Sequence, residues 1–380
     1  MADRAPPVLL VSGEYPPDVG GLADYTACLK RALTARGIEA HVLTRARPAA
    51  PQHEVARVVR RWDARSLGYL VRLAPRRGVV HLQFQAAAFD LLGDVCLAPL
   101  LLGRLRPDTR VVTTFHDARV PYLFPKAGRL RQLAVRLLAR TSAAVLASDE
   151  RDLGGLGAEP AKSYRVPIGS NVPCAPPPGF QREAFRAQLG LASGQLGVAY
   201  FGLLNASKGL DSLVGAWRRV RAADPSARLL LVGGGVGASD PTDRLTAERV
   251  VRQLAVFGEH VLRTGYLSPP MLSAHLLAAD VALLPYADGA SPRRGSLLAC
   301  AAHGLPIVST APASAGLDQV VLAAPAGDVD ALATAVLRVA RDPDVREALR
   351  RGSARLAEQT TWDHIAAEHL AIYRSLSVRP

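Results

Sequence analysis

Cysteine and lysine are equally scarce in this chain, four of each among 380 residues. Cys28, Cys96, Cys174 and Cys300 stand 68, 78 and 126 positions apart, no CxxC occurs, and Cys300 with His303 is a pair rather than a cluster. That spacing argues against a zinc site and a disulfide framework, and it suits a reducing cytoplasm. Long apolar runs are missing as well. Val8-Leu-Leu-Val11 is too short for a signal-peptide core, and the stretch from Leu91 to Leu102 is interrupted by Asp94 and followed by Arg104. Neither reaches the roughly 20 residues of a membrane span. The expectation is a soluble, cytoplasmic protein.

What is present is ample core material: 49% of the residues are hydrophobic and 21% charged. At about 150 residues per domain the length suggests two domains. The formal charge is +13, of which residues 1–180 hold +10 and residues 181–380 only +3. A basic first half points to an anionic surface partner there.

Short apolar runs alternate with amphipathic stretches along the whole chain. Strands are predicted at Val8–Ser12, Ala40–Thr44, Val79–Gln83, Arg110–Thr114 and Ala144–Ala147, then at Gly197–Gly202, Arg228–Val232, Val261–Thr264, Val281–Pro285 and Pro306–Thr310. Helices are predicted at Leu22–Arg36, Arg129–Arg140, Leu210–Ala223, Leu245–Phe257, Pro270–Ala278, Gly295–His303, Asp330–Ala340 and Asp344–Glu358. Such βα repeats build doubly wound parallel sheets. The prolines of Pro167–Pro178 make a linker. The expected architecture is α/β, two facing Rossmann-like domains with a cleft between them. Residues 1–175 form the first domain, 176–361 the second, and 362–380 a C-terminal helix crossing back to the first. Ligands of such sheets bind beyond the carboxyl ends of the strands.

Four segments at those ends carry candidate chemistry. Ser12–Gly21 contains Pro16, Pro17 and the adjacent Gly20 and Gly21 before a helix. It reads either as a plain βα turn or as a backbone cradle for phosphate; it lacks G-x-G-x-x-G. Tyr200–Gly209 brings Lys208 to a strand-to-helix junction, where a lysine neutralises phosphate or is merely solvated. In Pro285–Ala299, Arg293 and Arg294 precede Gly295 and Ser296 at a helix start, where the dipole opposes cations unless an anion is bound. Thr113-Thr-Phe-His116-Asp117 puts a histidine beside a carboxylate at a strand end. Leu230–Gly237 adds a glycine-rich turn that is weak as a dinucleotide signature.

Taken in order, these segments resemble a family 4 glycosyltransferase of the GT-B fold, and the resemblance covers nearly the whole chain. It runs through Val79–Gln83, Thr114–Asp117, Val166–Asn171, Phe201-Gly-x5-Lys208-Gly209, Gly265-Tyr-Leu, Ala279–Pro285, Gly304–Val308, Pro325–Asp328 and Thr361–Ile365. The resemblance implies that Gly20 and Gly21 offer N–H groups near diphosphate and acceptor, that His116 faces the donor sugar, that Lys208 holds the diphosphate, and that Asn171 lies near hinge and cleft. It also implies retaining transfer with no bound metal, positive groups standing in for a divalent ion. Three positions depart from the family: Leu203 replaces an arginine, and Ser291 and Ala299 replace two glutamates that serve the donor sugar and ribose.

The expected function is transfer of a hexose-like sugar from a nucleotide diphosphate donor. Lys208, Arg293, Arg294, Gly295 and Ser296 hold the diphosphate, His116 and Lys208 are catalytic, and Asn171, Ser291 and Ala299 lie on the sugar or nucleotide side. The acceptor is left open between a lipid-linked and a small molecule, and no nucleic acid is expected. Arg129–Arg140 reads as a basic amphipathic helix, which either lies on an anionic membrane or packs on its own sheet. The rival readings are a nucleotide-sugar epimerase and a non-catalytic nucleotide-binding protein.

Overall fold

The computed structural model describes residues 5–18, 20–116, 128–233, 241–311 and 316–376. The chain divides into two compact units, Met1–Gly169 with Thr361–Pro380, and Ser170–Thr360. In the first unit the strands are β1 (Val8–Ser12), β2 (Ala40–Arg45), β3 (Val55–Val59), β4 (Gly78–Phe84), β5 (Thr109–Phe115), β6 (Ala144–Ala147) and β7 (Ser163–Arg165). The helices between them are α1 (Gly21–Ala35), α2 (Ala64–Leu73), α3 (Ala98–Leu105), α4 (Gly128–Thr141) and α5 (Glu150–Leu156). All strand pairs are parallel, in the order β3-β2-β1-β4-β5-β6-β7.

The second unit repeats the plan. After α6 (Arg182–Gln188) come β8 (Gly197–Gly202), α7 (Leu210–Ala223), β9 (Arg228–Gly233), α8 (Pro241–Ala255), β10 (Val261–Gly265), α9 (Pro269–Ala278) and β11 (Val281–Leu284). Then follow α10 (Gly295–Ala302), β12 (Ile307–Thr310), β13 (Val321–Ala324), α11 (Val329–Arg341) and α12 (Pro343–Gln359). The order β10-β9-β8-β11-β12-β13 is again parallel throughout. Chain direction across the sheet reverses between β1 and β4 in one unit and between β8 and β11 in the other. Those are the switch points where loops diverge and leave a crevice.

Both faces of each sheet are covered. Leu9 and Val11 of β1 enter one apolar cluster, while Val8 and Leu10 enter another on the opposite face. Leu229 and Leu231 of β9 likewise part from Leu230 and Val232. Period-two alternation with apolar residues at every position makes these strands legible as buried runs. The last helix, α13 (Trp362–Leu376), packs on the first unit through Ile365, Ala366, Leu370 and Tyr373. Tyr373 OH lies 2.7 Å from His81 Nδ1, and the other ring nitrogen of His81 lies 2.7 Å from Thr114 Oγ1. Arg36, just past α1, adds a fork to Asp363 with bonds of 2.9 and 2.8 Å.

The linker reading of Pro167–Pro178 is modified. Val172 packs on the second unit's core, and the Ala175 N–H donates to Ser273 Oγ at 3.0 Å. Strands β3, β7 and β13 and helices α2, α3, α5 and α6 are additional to the predicted elements. β3 and β7 are edge strands with half-solvated side chains, Arg57 among them, so they lack a buried run.

Candidate functional site

The loops after β8 and β11 meet at the switch point of the second sheet. β8 runs out at Gly202, and a 3₁₀ turn over Ala206–Lys208 leads into α7. Gly209 begins that helix at φ 63°, and a Cβ there would collide with the Pro285 carbonyl. Left-handed backbone and close approach both demand glycine. The Ala287 N–H donates to the Ser207 carbonyl at 3.1 Å, which ties the two loops together.

This juncture places Lys208 over Tyr286. The ammonium lies 5.1 Å from the ring centroid, and the Arg294 guanidinium lies 4.8 Å from the same centroid. Burial, and then the charge of Arg294, push the Lys208 amine down to about 8, with Asp288 partly offsetting them. Arg294 also forms an ion pair with Asp288. So the cation expected to await an anion at this helix start already has a carboxylate partner.

The Tyr286 hydroxyl is 2.7 Å from Ser296 Oγ. α10 starts after Arg294 with no side-chain cap, whereas Asp63, Asp328 and Asp342 cap α2, α11 and α12. The N–H groups of Gly295 and Ser296 have no partner among the described residues. Two cations and two free donors therefore converge on one helix N-terminus, an arrangement suited to a phosphate or diphosphate.

The other expected residues of this unit fall as follows. Arg293 is half-buried, and its N–H donates to Ser291 Oγ at 3.3 Å. Ser291 is thus turned back onto its own loop, and Ala299 is fully buried in the apolar cluster under α10. Leu203 is 46% exposed at the end of β8. Asn171 is half-buried beside a turn in which Ser170 Oγ donates to the Val172 carbonyl at 2.9 Å.

In the first unit, Gly20 precedes α1 and Gly21 opens it, again without a side-chain cap. Glu14 Oε2 stands 3.0 Å from where a Gly20 Cβ would be, while Gly21 faces open space. Burial and then Asp18 raise the Glu14 carboxyl above the usual range. His116 follows β5. Its Nε2 is 2.8 Å from Gln83 Oε1, and its ring stands edge-on to Tyr25 at 4.6 Å, itself backed by Trp362 at 5.1 Å. Burial, and then nearby His369, push the His116 imidazole down to about 3, so it is neutral at working pH. Asp117 and Gly234–Gly237 lie outside the described residues.

Sequence reasoning missed Tyr286, Asp288, Gln83 and Tyr25. Tyr286 and Asp288 sit in a segment already singled out, directly past a strand end, and Gln83 closes the predicted strand Val79–Gln83, whereas Tyr25 carried no usable signal. A cavity of about 410 Å³ lies elsewhere, at the starts of β8 and β11. Two of its arginines serve helix carboxyl ends: Arg186 donates to the Ala278 carbonyl at 2.6 Å and Arg346 to the Ala340 carbonyl at 3.0 Å. Helix C-termini are the negative ends, so those two cations are locally neutralised.

Comparison with known proteins adds the following. Residues 19–169 match the family described as Glycosyltransferase Family 4, and residues 195–342 the family described as Glycosyl transferases group 1. A D-inositol 3-phosphate glycosyltransferase of Jonesia denitrificans is 28% identical over 405 residues, covering 95% of this chain and 92% of its own. A GDP-mannose-dependent alpha-(1-6)-phosphatidylinositol monomannoside mannosyltransferase of Mycobacterium tuberculosis is 27% identical, covering 95% and 96%. Among solved structures, sucrose-phosphate synthase from Thermosynechococcus elongatus superposes with a TM-score of 0.70 at 22% identity, covering 98% and 99%. Anabaena HepE in complex with UDP-glucose gives 0.71 at 17% identity, covering 96% and 99%.

Proposed function

The chain belongs to glycosyltransferase family 4, has the GT-B fold and uses a nucleotide-sugar donor; from that premise we propose that it transfers a hexose, with retention and without a metal, to an acceptor bearing phosphate. The carrying observation is the pair of cations, Lys208 and Arg294, beside the free Gly295 and Ser296 N–H groups. As the anomeric C–O bond breaks, negative charge grows on the leaving diphosphate. Fixed positive groups in a partly buried site stabilise that charge more than water does. A divalent ion supplies the same service elsewhere, and here Lys208, Arg294 and Arg293 take its place. The acceptor oxygen bonds to the anomeric carbon, and its proton passes to the departing phosphate oxygen. That route needs no pair of carboxylates.

The first unit takes the sugar and acceptor roles. His116, held by Gln83 and Tyr25, is a neutral hydrogen-bonding group for the donor sugar, and Gly20 and Gly21 offer backbone donors. Two lines support an anionic acceptor: residues 1–180 carry +10, and both named relatives act on inositol phosphates or their lipids. Exposed Leu97, Leu100, Leu105 and Leu133 stand among arginines on α3, α4 and the turn before α3, which favours a lipid-borne acceptor at an anionic membrane. No helix among the described residues is long and apolar enough to cross a membrane.

A second reading, binding without catalysis, is favoured by Ser291 and Ala299 at the two glutamate positions. One donor screen separates them. The protein is incubated with UDP-, GDP- and ADP-hexoses, with and without inositol 3-phosphate or phosphatidylinositol vesicles, and released nucleoside diphosphate is read by mass spectrometry. Release that rises with acceptor supports transfer. Binding without release from any donor favours the second reading.

A further inference from the structure

We propose that Tyr286 is the positioning residue of the diphosphate site, holding Lys208 and Arg294 side by side before the donor arrives. The proposal rests on reading this edge as the diphosphate site. Two cations within about 5 Å of one ring centroid repel each other, and the depressed Lys208 amine registers that repulsion together with burial. Long, flexible side chains left to themselves would swing apart into water. The negative face of an aromatic ring is the group that offsets such crowding, most effectively where water is excluded. Tyr286 is 1% exposed, so its ring is out of solvent and fixed by packing.

The same side chain is anchored at its other end. Its hydroxyl meets Ser296 Oγ at 2.7 Å. Ser296 lies in the first turn of α10, where the Gly295 and Ser296 N–H groups have no partner among the described residues. One side chain thus sets the distance between the cations and the backbone donors. The Ala287-to-Ser207 bond and the lack of room at Gly209 keep Lys208 from drifting away from the ring. Ordering two rotamer-rich side chains in advance removes a cost that binding would otherwise carry.

The test compares Tyr286→Phe, which keeps the π face, with Tyr286→Leu, which does not; Tyr286→Met replaces the latter if it fails to fold. Calorimetry with UDP, GDP and ADP gives affinities at pH 7. Carbon-13 labelling of the four lysines follows the Lys208 titration. The Phe variant is expected to bind within threefold of the parent with Lys208 still near 8, and the Leu variant at least tenfold more weakly. The Lys208 titration should rise towards the ordinary lysine value in the Leu variant as the ammonium swings into water. Unchanged binding in the Leu variant overturns the proposal, and so do equal losses in Phe and Leu, which assign the effect to the hydroxyl and helix packing. A parent protein that binds none of the three nucleotides refutes the diphosphate reading itself, and the role of Tyr286 with it.

Discussion

Replacing Lys208 by Met should make the protein more stable and worse at holding nucleoside diphosphates. Burial and Arg294 bring the amine from 10.5 down to about 8. At pH 7 the folded chain therefore carries a charge it would rather not have, at a cost of up to about 3 kcal/mol. Met fills much of the same space against Tyr286 without that charge, so a gain of about 1–3 kcal/mol is expected in urea denaturation at pH 7. The unfolded lysine titrates near 10.4 and the folded one lower, so the penalty is full below about 8 and fades as pH rises towards 10. The advantage of the Met variant should shrink over that window. Binding should move the other way: one lost charge-assisted contact is worth about 1.5–3 kcal/mol, or roughly ten- to a hundredfold in Kd. Calorimetry with UDP and GDP supplies that number. A variant that is less stable than the parent at pH 7 and binds diphosphates as well as it does would refute the reasoning.

Parent affinity for nucleoside diphosphate should fall about tenfold from pH 7 to 9 as Lys208 loses its proton, while Lys208→Arg should stay flat over the same range by calorimetry. Asp288→Asn frees Arg294 from its ion pair and should tighten binding about two- to fivefold at pH 6.5, where Lys208 stays charged; weaker binding would mean that the pair is structural. His116→Ala should slow transfer far more than it weakens diphosphate binding, and the parent rate should show no histidine titration between pH 5 and 8; equal losses would make His116 a prop of the fold. The protein should float with anionic but not neutral liposomes at low salt and come off at high salt, and failure to bind anionic vesicles would leave a soluble acceptor.

The central strands were open to reading because they are buried on both faces. Val8–Ser12 and Gly197–Gly202 show as unbroken apolar runs with no helical period. β3 and β7 did not show, since an edge strand with Arg57 in it or of three residues leaves no such run. In the site, Lys208 and the arginine pair were marked by position, a strand's carboxyl end meeting a helix start, and Lys208 also by the scarcity of lysine and by the family resemblance. What could not be read was the contact that gives them meaning. Tyr286 after β11 looks like a core tyrosine until the loop after β8 is laid across it, and that meeting is tertiary. The arginine pair also parts in the structure: Arg294 turns onto the ring and Asp288, while the backbone of Arg293 is tied to Ser291. The buried union of His81, Thr114 and Tyr373 joins residues from two strands and the last helix, which no local pattern connects.

The central claim is that the donor diphosphate sits on the N-terminus of α10 between Lys208 and Arg294, and amide NMR of the whole chain during titration with UDP or GDP tests it most directly. The account predicts that the largest shifts fall on Gly209, Asp288, Gly295 and Ser296, with the Gly295 and Ser296 amides moving downfield as they gain an acceptor. Shifts centred on the arginine-lined cavity at the starts of β8 and β11, with the α10 amides unmoved, would contradict it.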